Sequence, residues 1–181
     1  IRVAFAARLL TDKGVREFVE AAGIVRGKRA DIAFVVAGSP DPGNPATVTE
    51  AWIKAAKDRG DVEFLGQVAD VPALFSASHI VALPSYREGF PKTLMEAAAC
   101  GRPAIATDVP GCRDAVVDGR TGMVVPARDA EALARAVLKL ADDPELRKRM
   151  GAAAREHAER AFGVELIIRR QMEIYKEVLG R

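Results

Sequence analysis

The sequence predicts an α/β domain built on a doubly wound, Rossmann-like parallel sheet, with extra helices at its carboxyl end. Three observations predict it. Short apolar runs alternate with amphipathic stretches from the first residue to about residue 125, the rhythm of strand, crossover helix and strand. The segment Ser39-Pro-Asp-Pro-Gly-Asn-Pro45 follows one of those runs and can continue neither a strand nor a helix, so it is a loop at a strand's carboxyl end. From Asp129 onward the pattern is helical only.

The apolar runs at 3–6, 32–37, 62–65, 80–83, 104–107 and 123–125 are the expected strands. Helices are expected over 14–25, 47–57, 71–76, 92–100 and 113–116. Pro91 stands just before the first turn of the fourth helix, and Gly101 follows its end as a left-handed cap. In the helical tail, Asp129 caps the first stretch, Asp143-Pro144 starts the second, and Gly163 separates the second from the third. The last stretch sets Leu166, Ile167, Met172, Tyr175 and Leu179 close to the helical period. All 181 residues form one domain, because two would each be too small to bury a sound core. The chain opens in a strand, without a methionine, and is read as part of something longer.

Composition narrows the function. With 27 Lys and Arg against 25 Asp and Glu, the formal charge of +2 is too weak a bias to argue for nucleic acid. Two cysteines, Cys100 and Cys112, lack the spacing of a zinc or redox motif, so no metal site is expected and the thiols are expected reduced in the cytoplasm. Cys100 reads as a small buried helix residue and Cys112 as an exposed loop residue. His79 and His157 read as structural. No run approaches the length of a membrane span, and the basic residues of RKRMGAAAREHAER read as a solvated helix face.

The chemistry concentrates in SYREGFPKTLMEAAACGRP, residues 85–103, where Glu88 and Glu96 stand on either side of a Gly89-Phe90-Pro91 turn. In one continuous helix they would lie about 12 Å apart along its axis. Gly89 and Pro91 argue instead for Glu88 on a loop and Glu96 on a helix whose first N–H groups, near Lys92, Thr93 and Leu94, face the crevice and attract phosphate. Two carboxylates that grip hydroxyls on either side of a diphosphate describe a sugar nucleotide. The neutralising charge comes from ARLLTDKG after the first strand, where Arg8 and Lys13 frame a loop that can stabilise the diphosphate as a leaving group.

These residues carry a resemblance. Arg8-Leu9-x-x-x-Lys13-Gly14, the Glu88-x7-Glu96 spacing within EGFPKTLMEAAACGRPAIATDVPG, and the closing DGRTGMVVPARDAEALARAV look like the donor-binding half of a retaining glycosyltransferase of the glycogen-synthase-like, group 1 family with the two-domain GT-B fold. The resemblance covers essentially the whole chain. It implies that Arg8 and Lys13 contact the donor diphosphate, that Glu88 binds the transferred sugar, and that Glu96 binds the ribose hydroxyls. It further implies that the backbone of Gly89, Phe90 and Pro91 lines the sugar pocket, with the amides of Lys92, Thr93 and Leu94 near the phosphates. The donor would be a UDP-sugar or GDP-sugar, with no obligatory metal or other cofactor. Two positions depart from the family's common form: Ala7 stands where glycine is frequent, and Pro91 where a second glycine is frequent.

By the same resemblance an amino-terminal acceptor domain lies outside this chain, so the chain alone is expected to bind donor but transfer nothing. The members it resembles most closely assemble bacterial surface polysaccharides on glycan or lipid-linked acceptors at the cytoplasmic face of the membrane, which implies peripheral membrane association of the whole enzyme. Two other readings stay open on the sequence: half of a GT-B-fold sugar-nucleotide epimerase, and a non-catalytic nucleotide-binding module. The last helix is expected to pack on the missing domain through Ile167, Met172 and Tyr175.

Overall fold

The computed structural model describes residues 1–180. Its six strands are β1 (Arg2–Ala6), β2 (Ala33–Ala37), β3 (Glu63–Gly66), β4 (Ile80–Leu83), β5 (Ala104–Thr107) and β6 (Gly122–Val125). They form one parallel sheet in the order β3-β2-β1-β4-β5-β6. Between and after them run α1 (Val15–Arg26), α2 (Glu50–Arg59), α3 (Val71–Ser76), α4 (Lys92–Ala99), α5 (Cys112–Ala115), α6 (Ala130–Asp142), α7 (Pro144–Ala161) and α8 (Val164–Leu179). This is the doubly wound sheet the alternation predicts. Its strand order reverses between β1 and β4, and the crevice at such a reversal is where this architecture binds ligands.

The central strand reads as continuously apolar because both of its faces are covered. Val3 and Phe5 point into the core shared with α1 and α6, and Ala4 and Ala6 point into the core shared with α3 and α4. On the first face the ring of Phe18 from α1 packs between Phe5 and Phe34, 5.4 and 5.3 Å away between centroids. Full burial of such a ring contributes roughly 2–3 kcal/mol. On the second face Ala4, Ala6, Ala37 and Ala97 are all small, which lets α4 lie close against the ends of β1 and β2.

Local signals set the helix starts. Asp129 accepts a hydrogen bond from Ala132 N at 2.7 Å, and Asp143 one from Leu146 N at 2.8 Å with Pro144 behind it. Gly101 is left-handed, as a cap requires. The second helix begins at Glu50, three residues later than the sequence suggests. The Thr47 hydroxyl instead accepts from Asp41 N at 2.9 Å, and Thr49 caps the helix through Trp52 N at 3.2 Å.

Cys112 departs from the expectation: it is fully buried at the start of α5, drawn under the loop after β4, while Cys100, at the carboxyl cap of α4, is partly buried against the second core. Burial pushes the Cys112 thiol up from its ordinary pKa. His79 accepts from Arg2 N at 3.1 Å, a structural role. In α7, Met150, Ala154 and Ala158 face inward, and Arg155–Glu159 and Arg160–Glu156 pair one turn apart on the surface. The last helix buries none of its residues, and Ile167, Met172 and Tyr175 are all exposed.

Candidate functional site

The loop after β1 and the loop after β4 meet, because those strands are neighbours at the reversal point. Lys13, at the end of a single 3-10 turn, donates to Glu88 Oε1 at 2.7 Å, and Ser85 Oγ donates to the same oxygen at 2.7 Å. The two side chains are only 20% and 11% exposed, so the pair is poorly screened. Both donors converge on Oε1, which leaves Oε2 without a protein donor among the described residues.

Two close backbone approaches hold this arrangement. Gly14 follows Lys13 in the left-handed region, φ +73°, and a Cβ there would lie 2.6 Å from the Pro84 carbonyl carbon and nearer still to its oxygen. On the other side, a Cβ on Gly111, φ +79°, would come within 2.6 Å of the Glu88 carbonyl oxygen. Asp114 braces that turn by accepting from Gly111 N at 3.2 Å, and Asp108 pairs with Arg113 at 3.0 Å. The Glu88 loop is thus fixed between two glycines, one on each flanking loop.

Glu96 and Arg8 open into a different space. A crevice of about 410 Å³ lies at the carboxyl ends of β1, β2 and β3, lined by Arg8, Gly38, Ser39, Asp41, Gln67, Val68, Thr93 and Glu96 among others. Its volume falls in the range of small-molecule sites. Arg8 is held by Asp41 of the Ser39–Pro45 loop at 2.6 Å, and Asn44 Nδ2 reaches the same carboxylate oxygen at 3.2 Å. Glu96 is paired with Lys92, one turn earlier, at 3.2 Å, and its side chain is 24% exposed. The four ionic residues singled out in the sequence therefore sort into two places: Glu88 and Lys13 form an ion pair on one side, while Glu96 and Arg8 both line the crevice, paired with Lys92 and Asp41 respectively.

The start of α4 lies between these two places. Pro91 is its N-cap and makes no side-chain cap, and the N–H groups of Lys92 and Thr93 have no acceptor among the described residues. That is the free helix start expected to attract anions. Leu94 differs, because its N–H is spent on the Pro91 carbonyl at 3.0 Å and its side chain is buried. The Thr93 hydroxyl ties the turn to the end of β1 by donating to Ala6 O at 2.9 Å. Gly89 and Phe90 cross the gap from Glu88, and the Phe90 ring is 44% exposed.

Several participants left no mark in the sequence. Asp41 and Ser85 are short polar residues in loops, visible only once the loops are placed. Tyr86 donates to Glu17 of α1 at 2.5 Å and lies under the Arg128 guanidinium, 4.6 Å from the ring centre. Burial and the Glu17 carboxylate push the Tyr86 phenol up to about 12. One signal was available: all of these residues sit at strand carboxyl ends or in the first turn beyond them, where an open parallel sheet gathers its functional groups.

Comparison with known proteins identifies the family. The family model for glycosyl transferases group 1 matches residues 1–157. Over 98% of its length the chain is 31% identical to an N,N'-diacetylbacillosaminyl-diphospho-undecaprenol alpha-1,3-N-acetylgalactosaminyltransferase of Campylobacter jejuni, covering 45% of that protein. It is 28% identical to the capsular polysaccharide biosynthesis glycosyltransferase CapM of Staphylococcus aureus, again over 98% of the chain and 46% of that protein. The chain spans less than half the length of these curated relatives. Among solved structures, the C-terminal domain of the group 1 family protein LpcC from Francisella tularensis superposes with a TM-score of 0.80 at 25% identity, over 90% of this chain and 86% of that one. The chain belongs to the glycosyl transferases group 1 family, and its fold is that of the family's carboxyl-terminal GT-B domain.

Proposed function

We propose that this chain is the donor-binding domain of a retaining glycosyltransferase that moves a sugar from a UDP-sugar or GDP-sugar to a glycan or lipid-linked acceptor in bacterial surface polysaccharide synthesis. The observation that carries the reading is the crevice at the strand-order reversal, in which Glu96, Arg8 and the free start of α4 converge. In this reading the nucleotide lies in the crevice, with Glu96 accepting from ribose hydroxyls and Arg8 facing the diphosphate. The diphosphate crosses the start of α4, and the sugar reaches Glu88. Diphosphate oxygens then compete with Glu88 for Lys13, and the Lys13 charge stabilises the departing nucleotide. Glu88 Oε2, with no protein donor among the described residues, is the atom that accepts from a sugar hydroxyl in this reading.

The relatives named for N-acetylgalactosaminyl transfer to a diphospho-undecaprenol-linked sugar and for capsule synthesis support the acceptor class. The acceptor domain lies outside this chain in this reading, and transfer requires it. The proposal includes peripheral attachment of the whole enzyme at the cytoplasmic membrane face; no helix among the described residues is long and apolar enough to cross a membrane.

Calorimetric titration with UDP and then GDP tests the proposal. One nucleotide is expected to bind, and Glu96→Ala is expected to weaken it by about 10- to 100-fold, the loss of charge-assisted hydrogen bonds. Binding of neither nucleotide, or binding unchanged in the variant, refutes it.

A further inference from the structure

The end of α7 is joined to the Glu88 loop through aromatic contacts. Phe162 stands at the carboxyl cap of α7, and its ring meets Phe90 at 5.4 Å between centroids and 76° between planes. On its other side it meets the His157 ring at 4.9 Å and 83°. Both are edge-to-face arrangements of the favoured kind. Phe90 contributes little to the domain core, since nearly half of it is exposed, and its aromatic partner among the described residues is Phe162.

Phe162 is in turn firmly placed. Ala154 and Ala158 of α7 pack with Ala98 of α4 in a small separate core against which Phe162 rests, and Arg155 donates to the Ala99 carbonyl. The turn 89–91 is therefore supported at one end by α4 and at its tip by a ring carried on α7. Beneath that ring lies a cleft of about 320 Å³ lined by Lys92, Met95, Glu96, Ala99, Ala158 and Phe162 among others.

We propose that Phe162 is a positioning residue: edge-on to Phe90, it fixes the turn 89–91 and so presents Glu88 to the transferred sugar. The inference rests on the donor-binding reading above and adds a directional consequence to it. Residues 88–91 do not line the crevice that would hold the nucleotide. Loss of Phe162 therefore acts chiefly on the sugar moiety of the ligand: Glu96 also borders the Phe162 cleft, but its helix is held by Ala98 against Ala154 and Ala158, which the substitution leaves in place.

The test titrates the 181-residue chain and its Phe162→Ala variant with UDP and GDP, and with UDP-glucose, UDP-N-acetylglucosamine, UDP-N-acetylgalactosamine and GDP-mannose. The variant is expected to bind the free nucleotide as the parent does and to bind the preferred nucleotide-sugar about three- to tenfold more weakly, the worth of one aromatic pair. Phe162→Tyr should restore it. Phe90→Ala removes the same contact from the surface side, without touching α7, and serves where Phe162→Ala does not fold. It should reproduce the selective loss, and the double variant should add nothing to it. Equal weakening of nucleotide and nucleotide-sugar, or no weakening of either, overturns the inference and leaves the donor reading standing. A parent chain that binds none of the six ligands overturns both.

Discussion

Gly14→Ala isolates the contact that brings Lys13 to Glu88, and its effect can be worked out before the experiment. Gly14 and Gly119 have nearly the same left-handed conformation, φ +73° and +71°, but a Cβ on Gly119 has nothing within 4 Å, whereas one on Gly14 lies 2.6 Å from the Pro84 carbonyl carbon. An alanine in that conformation costs about 1–2 kcal/mol at either site, partly offset by about 0.4–1 kcal/mol from a stiffer unfolded chain. Gly119→Ala should therefore lose about 1 kcal/mol. At Gly14 a normal carbon–carbon contact requires a shift of roughly 1 Å in a packed backbone, an overpacking cost of about 1–3 kcal/mol more. Urea unfolding of both variants against the parent should show Gly14→Ala losing about 3 kcal/mol, with melting about 6–12 °C lower. Equal losses at the two glycines would refute the claim that the Pro84 approach, and not the backbone conformation alone, makes Gly14 necessary.

Two further predictions follow. Asp143→Ala removes the cap hydrogen bond to Leu146 N at the start of α7 and should cost about 1 kcal/mol in urea unfolding, whereas Asp143→Ser should cost little. The Tyr86 phenol, held in the fold up to about 12 against an ordinary value near 10, favours the protonated form. Its contribution to stability is whole below pH about 10 and is lost as pH rises toward about 12, because the unfolded chain gives up that proton first. Phenolate absorbance should show a late phase in that window, which Tyr86→Phe abolishes; a late phase that survives the substitution would place the shift elsewhere.

What was legible in the sequence was local. The alternation in β1 reads directly because Val3 and Phe5 face one core and Ala4 and Ala6 the other. Asp129 and Asp143 read as caps because a cap and its N–H partner are three residues apart. Arg8, Lys13, Glu88 and Glu96 could be named, but not their partners. Lys13 and Glu88 are 75 residues apart and Arg8 and Asp41 33 apart, joined only by the strand order. Cys112 differs for the same reason: the glycine before it suggests an exposed loop, but in the fold that glycine lies close against the Glu88 and Gly89 carbonyls, and the thiol that follows is buried.

The strand order also explains why the two glutamates serve different spaces. β1 has β2 on one side and β4 on the other, so the segment leaving it serves two spaces in turn. Arg8, directly beyond the strand, faces the β2 loop and the crevice; five residues and a 3-10 turn later, Lys13 faces the β4 loop. The helix after β4 repeats this division in reverse, with Glu88 before its start on the Lys13 side and Glu96 one turn in on the Arg8 side. One space thus receives Glu88 with Lys13 and the other Glu96 and Asp41 with Arg8, and the free N–H groups of α4 lie between them. A ligand with hydrogen-bond donors at both ends and negative charge in the middle would complement this arrangement, and in the proposed reading a nucleoside diphosphate sugar is that ligand.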